Sequence, residues 1–309
     1  MPPTDQNNQD FIPSLPVDDW KETLSTLHMW TQIVGKIRMK LSPLVNHWWN
    51  VPLYVTPRGI TTTAIPCPRG TLEIRFDFID HQLFLESSTG RTVSVALRPR
   101  SVADFYQEVM RGLGQLGVTV KIWTTPCEVP DPIPFEKDNS HASYDAEAVQ
   151  QFWRILVWVD QVFKDFRADF LGKVSPVHFF WGSFDLAVTR FSGKIAPPRE
   201  GADSITREAY SHEVSSAGFW PGGGNISAPA FYSYAAPEPE GFATYSVQPQ
   251  KAFYHPEMKE FLLMYDDLST GKSPREDVME FLQTTYAAAA DKGHWDRKAL
   301  ERNYRGQSA

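Results

Sequence analysis

One recurrence constrains this chain more than any other property: a long amphipathic helix running into a β-like stretch occurs twice. In the first copy Leu24, Leu27, Trp30, Ile33, Val34, Ile37 and Leu41 recur at three- and four-residue steps, the period of a helix with one apolar face. Asp19-Trp-Lys-Glu22 has the form of a capping box that would start it. Ser42-Pro43 should end it, because Pro43 disfavours helical geometry in the residue before it. In the second copy Asp145 starts a helix with Val149, Phe152, Trp153, Leu156, Val159, Phe163, Phe166 and Phe170 on its stripe, and Gly172 stops it. The stretch K-V-S-P-V-H-F-F-W-G-S-F-D-L-A-V-T-R-F (173–191) follows, and 178–191 reads as one buried strand. The offset that sets Ser42-Pro43 on Ser175-Pro176 also sets Trp20 on Trp153, Lys40 on Lys173, Trp48 on Trp181 and Thr56 on Thr189 without gaps. Closing helices over 101–117 and 273–293 correspond as well. Such self-similarity implies an α+β fold of antiparallel strands with packed long helices, in two pseudo-symmetric halves made by internal duplication. Independent use of the same helix-then-strand grammar is the alternative.

The intervening sequence fills in the halves. Leu72, Ile74, Phe76 and Phe78 alternate with Glu73, Arg75 and Asp77, the period of a half-buried strand. Segments 51–56, 60–65, 83–86 and 91–97 are further strand candidates, the last two a hairpin. Further strands are expected at 118–123, 208–220, 230–235 and 260–266. Prolines and acidic residues crowd 124–143 without periodicity, which marks a linker or a strap over the surface. The expected organisation is a disordered tail (1–16), a first half (17–123), the linker (124–143), a second, elaborated half (144–296) and a tail (297–309).

Charge and cysteine usage narrow the function classes. The net charge is −7 and no basic cluster occurs, so a nucleic-acid surface is not expected. No apolar run is long enough to span a membrane, and two cysteines, Cys67 and Cys127, are too few for a disulfide scaffold; a cytoplasmic protein is expected. The eight histidines form no H-x-H, H-E-x-x-H or H-x-x-E-H motif, so neither a metal nor a cofactor is expected. His178 and His212, together with Asp185 or Glu213, could still meet in space as a metal-ligand set that no spacing motif announces. His28, mid-helix among apolar residues, reads as a hydrogen-bonded core histidine, and His47 and His81 as turn residues.

Candidate site residues concentrate where the second half carries residues that the first lacks. On a strand, Trp181, Ser183, Asp185 and Thr189 share one face, while Arg190 points the other way with Phe184 and Val188. Asp185 stands in an otherwise apolar run, where an ionised carboxylate needs a partner. For an enzyme, Asp185 or Glu213 would be the base, His212 its proton-transfer partner and Arg190 an anionic anchor, with Trp181, Ser216 and Trp220 binding ligand. For a non-catalytic binding or interaction protein, Trp181, Phe219 and Trp220 would form the docking surface. Ser215 and Ser216 lack a G-x-S-x-G elbow, and Pro221-Gly222-Gly223-Gly224 lacks the Lys of a phosphate loop, so it reads as a tight turn. Composition and spacing leave both classes, and the oligomeric state, open.

The motifs T-L-H-M-W-T-Q-I-V-G-K-I-R (26–38), V-H-F-F-W-G-S-F-D-L-A-V-T-R-F-S-G (177–193) and S-H-E-V-S-S-A-G-F-W-P-G-G-G (211–224) resemble a bacterial family labelled only as a domain of unknown function. The resemblance covers nearly the whole chain after Pro16. It implies no activity, cofactor or catalytic residue.

Overall fold

The computed structural model describes residues 13–223, 226–269 and 273–302. Among these residues the chain forms two antiparallel six-stranded sheets, each flanked by long helices, so the fold is α+β. The first half runs from α1 (Val17–Leu41) through β1 (Tyr54–Thr56), β2 (Gly59–Thr61), β3 (Ile65–Cys67), β4 (Gly70–Asp77), β5 (Gln82–Ser87) and β6 (Thr92–Ala96) to α2 (Val102–Gln115). Its sheet has the order β1-β2-β4-β5-β6, with β3 also paired to β4. The second half runs from α3 (Ala146–Ala168) through β7 (His178–Phe180), β8 (Asp185–Ile195), α4 (Ser204–Ala209), β9 (His212–Trp220), β10 (Ala230–Ala236), β11 (Phe253–His255) and β12 (Glu260–Met264) to α5 (Pro274–Lys292) and α6 (Arg297–Leu300). Its sheet order is β11-β12-β10-β9-β8-β7.

The helical stripes do what their spacing dictates. Leu27, Trp30, Ile33, Val34 and Ile37 of α1 are fully buried, as are Phe152, Val159 and Phe163 of α3. Each such side chain contributes roughly 1.5–3 kcal/mol by leaving water. Trp20 meets Phe152 at 5.2 Å between ring centroids, so the two entry helices pack on each other and one apolar core runs through both halves. The sheets are also stitched directly: Leu53 and Phe179 exchange backbone hydrogen bonds, each 2.9 Å.

Several expectations change at element ends. Helix α1 starts at Val17 rather than at a capping box on Asp19; Asp18 and Asp19 lie in its first turn, where the positive end of the helix dipole favours carboxylates. Asp145 does cap α3, accepting from the Glu147 and Ala148 amides. Segment 118–123 forms no strand, and 204–209 becomes α4, so β9 begins only at His212. The 178–191 stretch is a hairpin and not one strand: Gly182 and Phe184, with a left-handed φ of 62°, turn the chain between β7 and β8. Both halves run from a long helix through antiparallel strands to a closing helix, but α4 interrupts the strands of the second, and the proposed residue register does not hold. Helix α1 ends immediately before Ser42, whereas α3 ends at Ala168, well short of Ser175. Thr56 closes a three-residue edge strand, whereas Thr189 lies inside the eleven-residue β8.

The Pro-rich segment is a strap. The buried Gln32 amide of α1 donates to the Cys127 carbonyl (2.8 Å) and accepts from its N–H (2.9 Å), and Lys36 Nζ donates to the Thr125 carbonyl (2.8 Å). Polar groups buried on α1 thus hold a segment that has no periodicity of its own. The expected tails are partly packed as well. Leu15 is buried and the Tyr265 hydroxyl donates to the Pro13 carbonyl, while Leu300 accepts from the Leu171 amide. Residues 1–12 and 303–309 of those expected tails, and Gly224 of the triple glycine, lie outside the described residues.

Candidate functional site

The second sheet has one face against α3 and α5 and one face that lines a cavity of about 770 Å³. Strand register decides which side chains reach it. Thr189 of β8 stands opposite Ser216 of β9, and Ser216 opposite Tyr234 of β10; one pleat along, Ala187, Gly218 and Tyr232 form a parallel row. Because side chains alternate, Asp185, Thr189, Ser216, Trp220, Tyr232, Tyr234 and Glu260 share the cavity face. Gly218 matters here because any Cβ at that position would overlap the Tyr232 ring. Its absence lets the phenol lie across β9, and the Tyr232 hydroxyl donates to the Asp185 carboxylate on the strand beyond. Ser183 Oγ donates to the other Asp185 oxygen at 2.5 Å.

Three other segments close the cavity. The β7–β8 turn is clamped onto α1, where Trp181 lies on Gly35, His28 Nε2 donates to the Gly182 carbonyl (2.8 Å) and burial lowers the His28 pKa to about 4. Trp181 Nε1 donates to the Val51 carbonyl at 2.8 Å. The strap contributes Glu128, whose carboxylate fills the space that a side chain on Gly182 would occupy. The 3-10 turn Asn46–Trp48, left-handed at His47 and Trp48, packs on α4 and supplies two tryptophans, Trp48 and Trp49. His47 Nδ1 donates to the Glu208 carbonyl (3.1 Å) while its Nε2 accepts from Lys173 Nζ (2.5 Å), which ties the turn to α4. Burial, then the Lys173 charge, lowers the His47 pKa, so the ring serves as a neutral bridge.

Acid groups dominate the electrostatics. Burial raises the Glu260 pKa to about 7, with the Asp185 charge adding to the effect. The Asp185 carboxyl is itself pushed up by burial, against the stabilising hydrogen bonds of Ser183 and Tyr232. Glu128, at the mouth, is raised by partial desolvation and then by Asp185. Hydroxyl groups line the rest: Thr189 and Ser216 share a 2.9 Å hydrogen bond, and Tyr210 and Tyr234 one of 2.8 Å. Among the described residues no three His, Cys, Asp or Glu side chains group to hold a metal ion.

The structure therefore brings together four of the seven residues singled out from the sequence: Asp185, Trp181, Ser216 and Trp220. The other three do not line the cavity. Arg190 points from β8 into the core between α3 and α5, its guanidinium carbon 3.5 Å from the Phe166 ring centre and 4.4 Å from that of Tyr286. It donates to the Phe166 carbonyl, and burial lowers its pKa to about 10. An anionic anchor in the cavity is thus not available from Arg190. His212 sits at the sheet's far end, beside Ile195, with Nδ1 3.1 Å from Ser211 Oγ and its ring edge on His47. Glu213 points to the opposite face, 3.9 Å from Lys194 Nζ and beside a small pocket against Pro237 and Trp295. His178 is likewise remote from His212: it pairs with Ala187 and lies edge-on to Trp49, Tyr54 and Phe180, and burial takes its pKa to about 3.

Glu260, Tyr232, Tyr234 and Glu128 escape sequence reasoning for identifiable reasons. The alternation of Tyr232, Ser233 and Tyr234 is a legible signal that both phenols share one face. Glu260 heads a short apolar strand, where a carboxylate reads as solvated, and Glu128 sits in a segment with no period.

A buried guanidinium with no carboxylate in ion-pair contact among the described residues carries a desolvation cost, which sets a prediction for Arg190. Arg190→Met should unfold in urea at equal or higher denaturant concentration than the wild type, while Arg190→Ala, which leaves a void, should lose about 3 kcal/mol. A loss of several kcal/mol in the methionine variant would show that the charge itself holds α3 and α5.

Together the fold and its cavity define a class: an α+β protein with two antiparallel sheets and an acid- and aromatic-lined cavity on the open face of the second. The chain belongs to a family described as a family of unknown function (DUF5996), whose model matches residues 12–302. No curated protein and no solved structure matches it. No helix among the described residues is long and apolar enough to cross a membrane.

Proposed function

We propose that the protein is a small-molecule enzyme that works by proton transfer in this cavity. The observation that carries the reading is the pairing of Glu260, with a pKa of about 7, with the desolvated Asp185–Tyr232 hydrogen bond on the same walled face. A group that titrates near neutrality both takes and gives protons, which is what general acid–base work requires. In this reading Glu260 moves the proton, the Tyr232 hydroxyl, whose own proton is held by Asp185, accepts a hydrogen bond from the substrate and positions it, and Trp181 and Trp220 hold the apolar part of the substrate. His212, Glu213 and Arg190 have no role in it. The volume suits a ligand of metabolite to drug size.

The test is a metabolite extract incubated in D₂O with the wild type, Glu260→Gln and Asp185→Asn, read by mass spectrometry. At least one metabolite should be consumed or deuterated by the wild type and by neither variant, with a rate that changes through pH about 7. Equal conversion by wild type and Glu260→Gln would remove Glu260 from the chemistry. A second reading, binding without turnover, is favoured by one feature: both Asp185 oxygens already accept hydrogen bonds within the protein. It predicts saturable binding with no converted metabolite.

A further inference from the structure

We infer that the ligand of this cavity carries an organic cation, an amine or a quaternary ammonium group; the inference rests on the cavity being a small-molecule site. Among its described lining residues are the carboxyls of Glu128, Asp185, Asp203 and Glu260, and no lysine or arginine. His47 is the basic side chain among them, and its Nε2 is taken by Lys173. Lys173 itself is not among the lining residues; its Nζ lies 5.3 Å from the Trp49 ring centre and 5.0 Å from that of Phe191, and Arg199, also outside the lining, stacks 3.9 Å from the Tyr210 ring centre.

This balance discriminates among ligand classes. An anionic ligand would meet carboxyls without a single opposing guanidinium or ammonium in the lining. A neutral polyol would satisfy the hydroxyl rows of Thr189, Ser216 and Tyr234, yet would leave the desolvated acids Asp185 and Glu260 on one wall without a counter-charge. A metal ion would need grouped ligands that the described residues do not supply. An organic cation fits both halves of the lining at once: its charge compensates the carboxyls, and its alkyl shell lies against indole and phenol faces, whose π-electrons attract cations. The same charge would favour the ionised form of Glu260, so binding near pH 7 should expel a proton from the protein.

The experiment uses the full chain and matched probe pairs: choline and benzyltrimethylammonium, each against the neutral isostere with carbon in place of nitrogen. Calorimetric titration near pH 7 in two buffers of different ionisation enthalpy reads affinity and proton release together. The cations should bind and release protons, and the isosteres should bind about tenfold or more weakly. Glu260→Gln, which removes a half-buried acid and should fold well, should abolish the proton release and weaken the cations about tenfold while leaving the isosteres unchanged. Isosteres that bind as tightly as the cations would overturn the ligand class and leave the small-molecule site intact. If neither series binds, while an extract metabolite is still converted, the cationic class again falls alone. If neither binds and no metabolite is converted, the inference and the function it rests on fall together.

Discussion

Glu260→Gln should stabilise the protein by about 2–3 kcal/mol near pH 8 and leave its stability unchanged near pH 4. Glu260 has an ordinary carboxyl pKa of 4.5 in the unfolded chain and about 7 in the fold. The folded state therefore holds the proton more tightly, and the stability gained by its protonated form is fully present below about 4.5. That contribution is lost as pH rises through about 7, because the fold must then keep a carboxylate in a poorly hydrated wall beside Asp185. Glutamine keeps the shape and removes the titration. Urea denaturation of the two proteins across this range measures the difference directly, and parallel curves at every pH would show that Glu260 is hydrated in the fold. The same experiment bears on function. A Glu260 that costs stability at neutral pH is what the proposed proton-transfer role expects of it.

Gly35→Ala should cost about 3 kcal/mol, although alanine is the better helix former by nearly 1 kcal/mol. Gly35 lies in the middle of α1, and a Cβ there would overlap the Trp181 indole. To admit it, Trp181 must leave its place, which breaks its hydrogen bond to the Val51 carbonyl and loosens the turn that carries Gly182, Ser183 and Phe184. Gly114 of α2 is the control: nothing lies within 4 Å of a Cβ built there, so Gly114→Ala should be neutral or stabilise by roughly 0.5 kcal/mol. Thermal and urea unfolding of both variants compare them, and equal stability would refute the clamp between α1 and the β7–β8 turn. Because Trp181 also lines the cavity, Gly35→Ala should weaken the binding proposed for it from a position outside it.

The sequence by itself determined what depends on neighbours along the chain. Helix faces followed from three- and four-residue spacing because consecutive turns place those side chains on one side, and the start of α3 at Asp145 followed from the amides that its carboxylate satisfies. The opposed directions of Asp185 and Arg190 followed from strand parity, which holds wherever β8 is placed. Tertiary structure decided what each face meets. The same parity that sends Asp185 into a cavity sends Arg190 into aromatic core, and only packing of α3 and α5 makes the second destination dry. The 178–191 stretch breaks into a hairpin because α1 and the strap grip Gly182 from outside it, contacts far away in sequence. Glu260 becomes an acid of near-neutral pKa for the same kind of reason. Its own segment reads as an ordinary short strand, and its titration is set by burial and by Asp185, which sheet pairing brings to the same cavity wall.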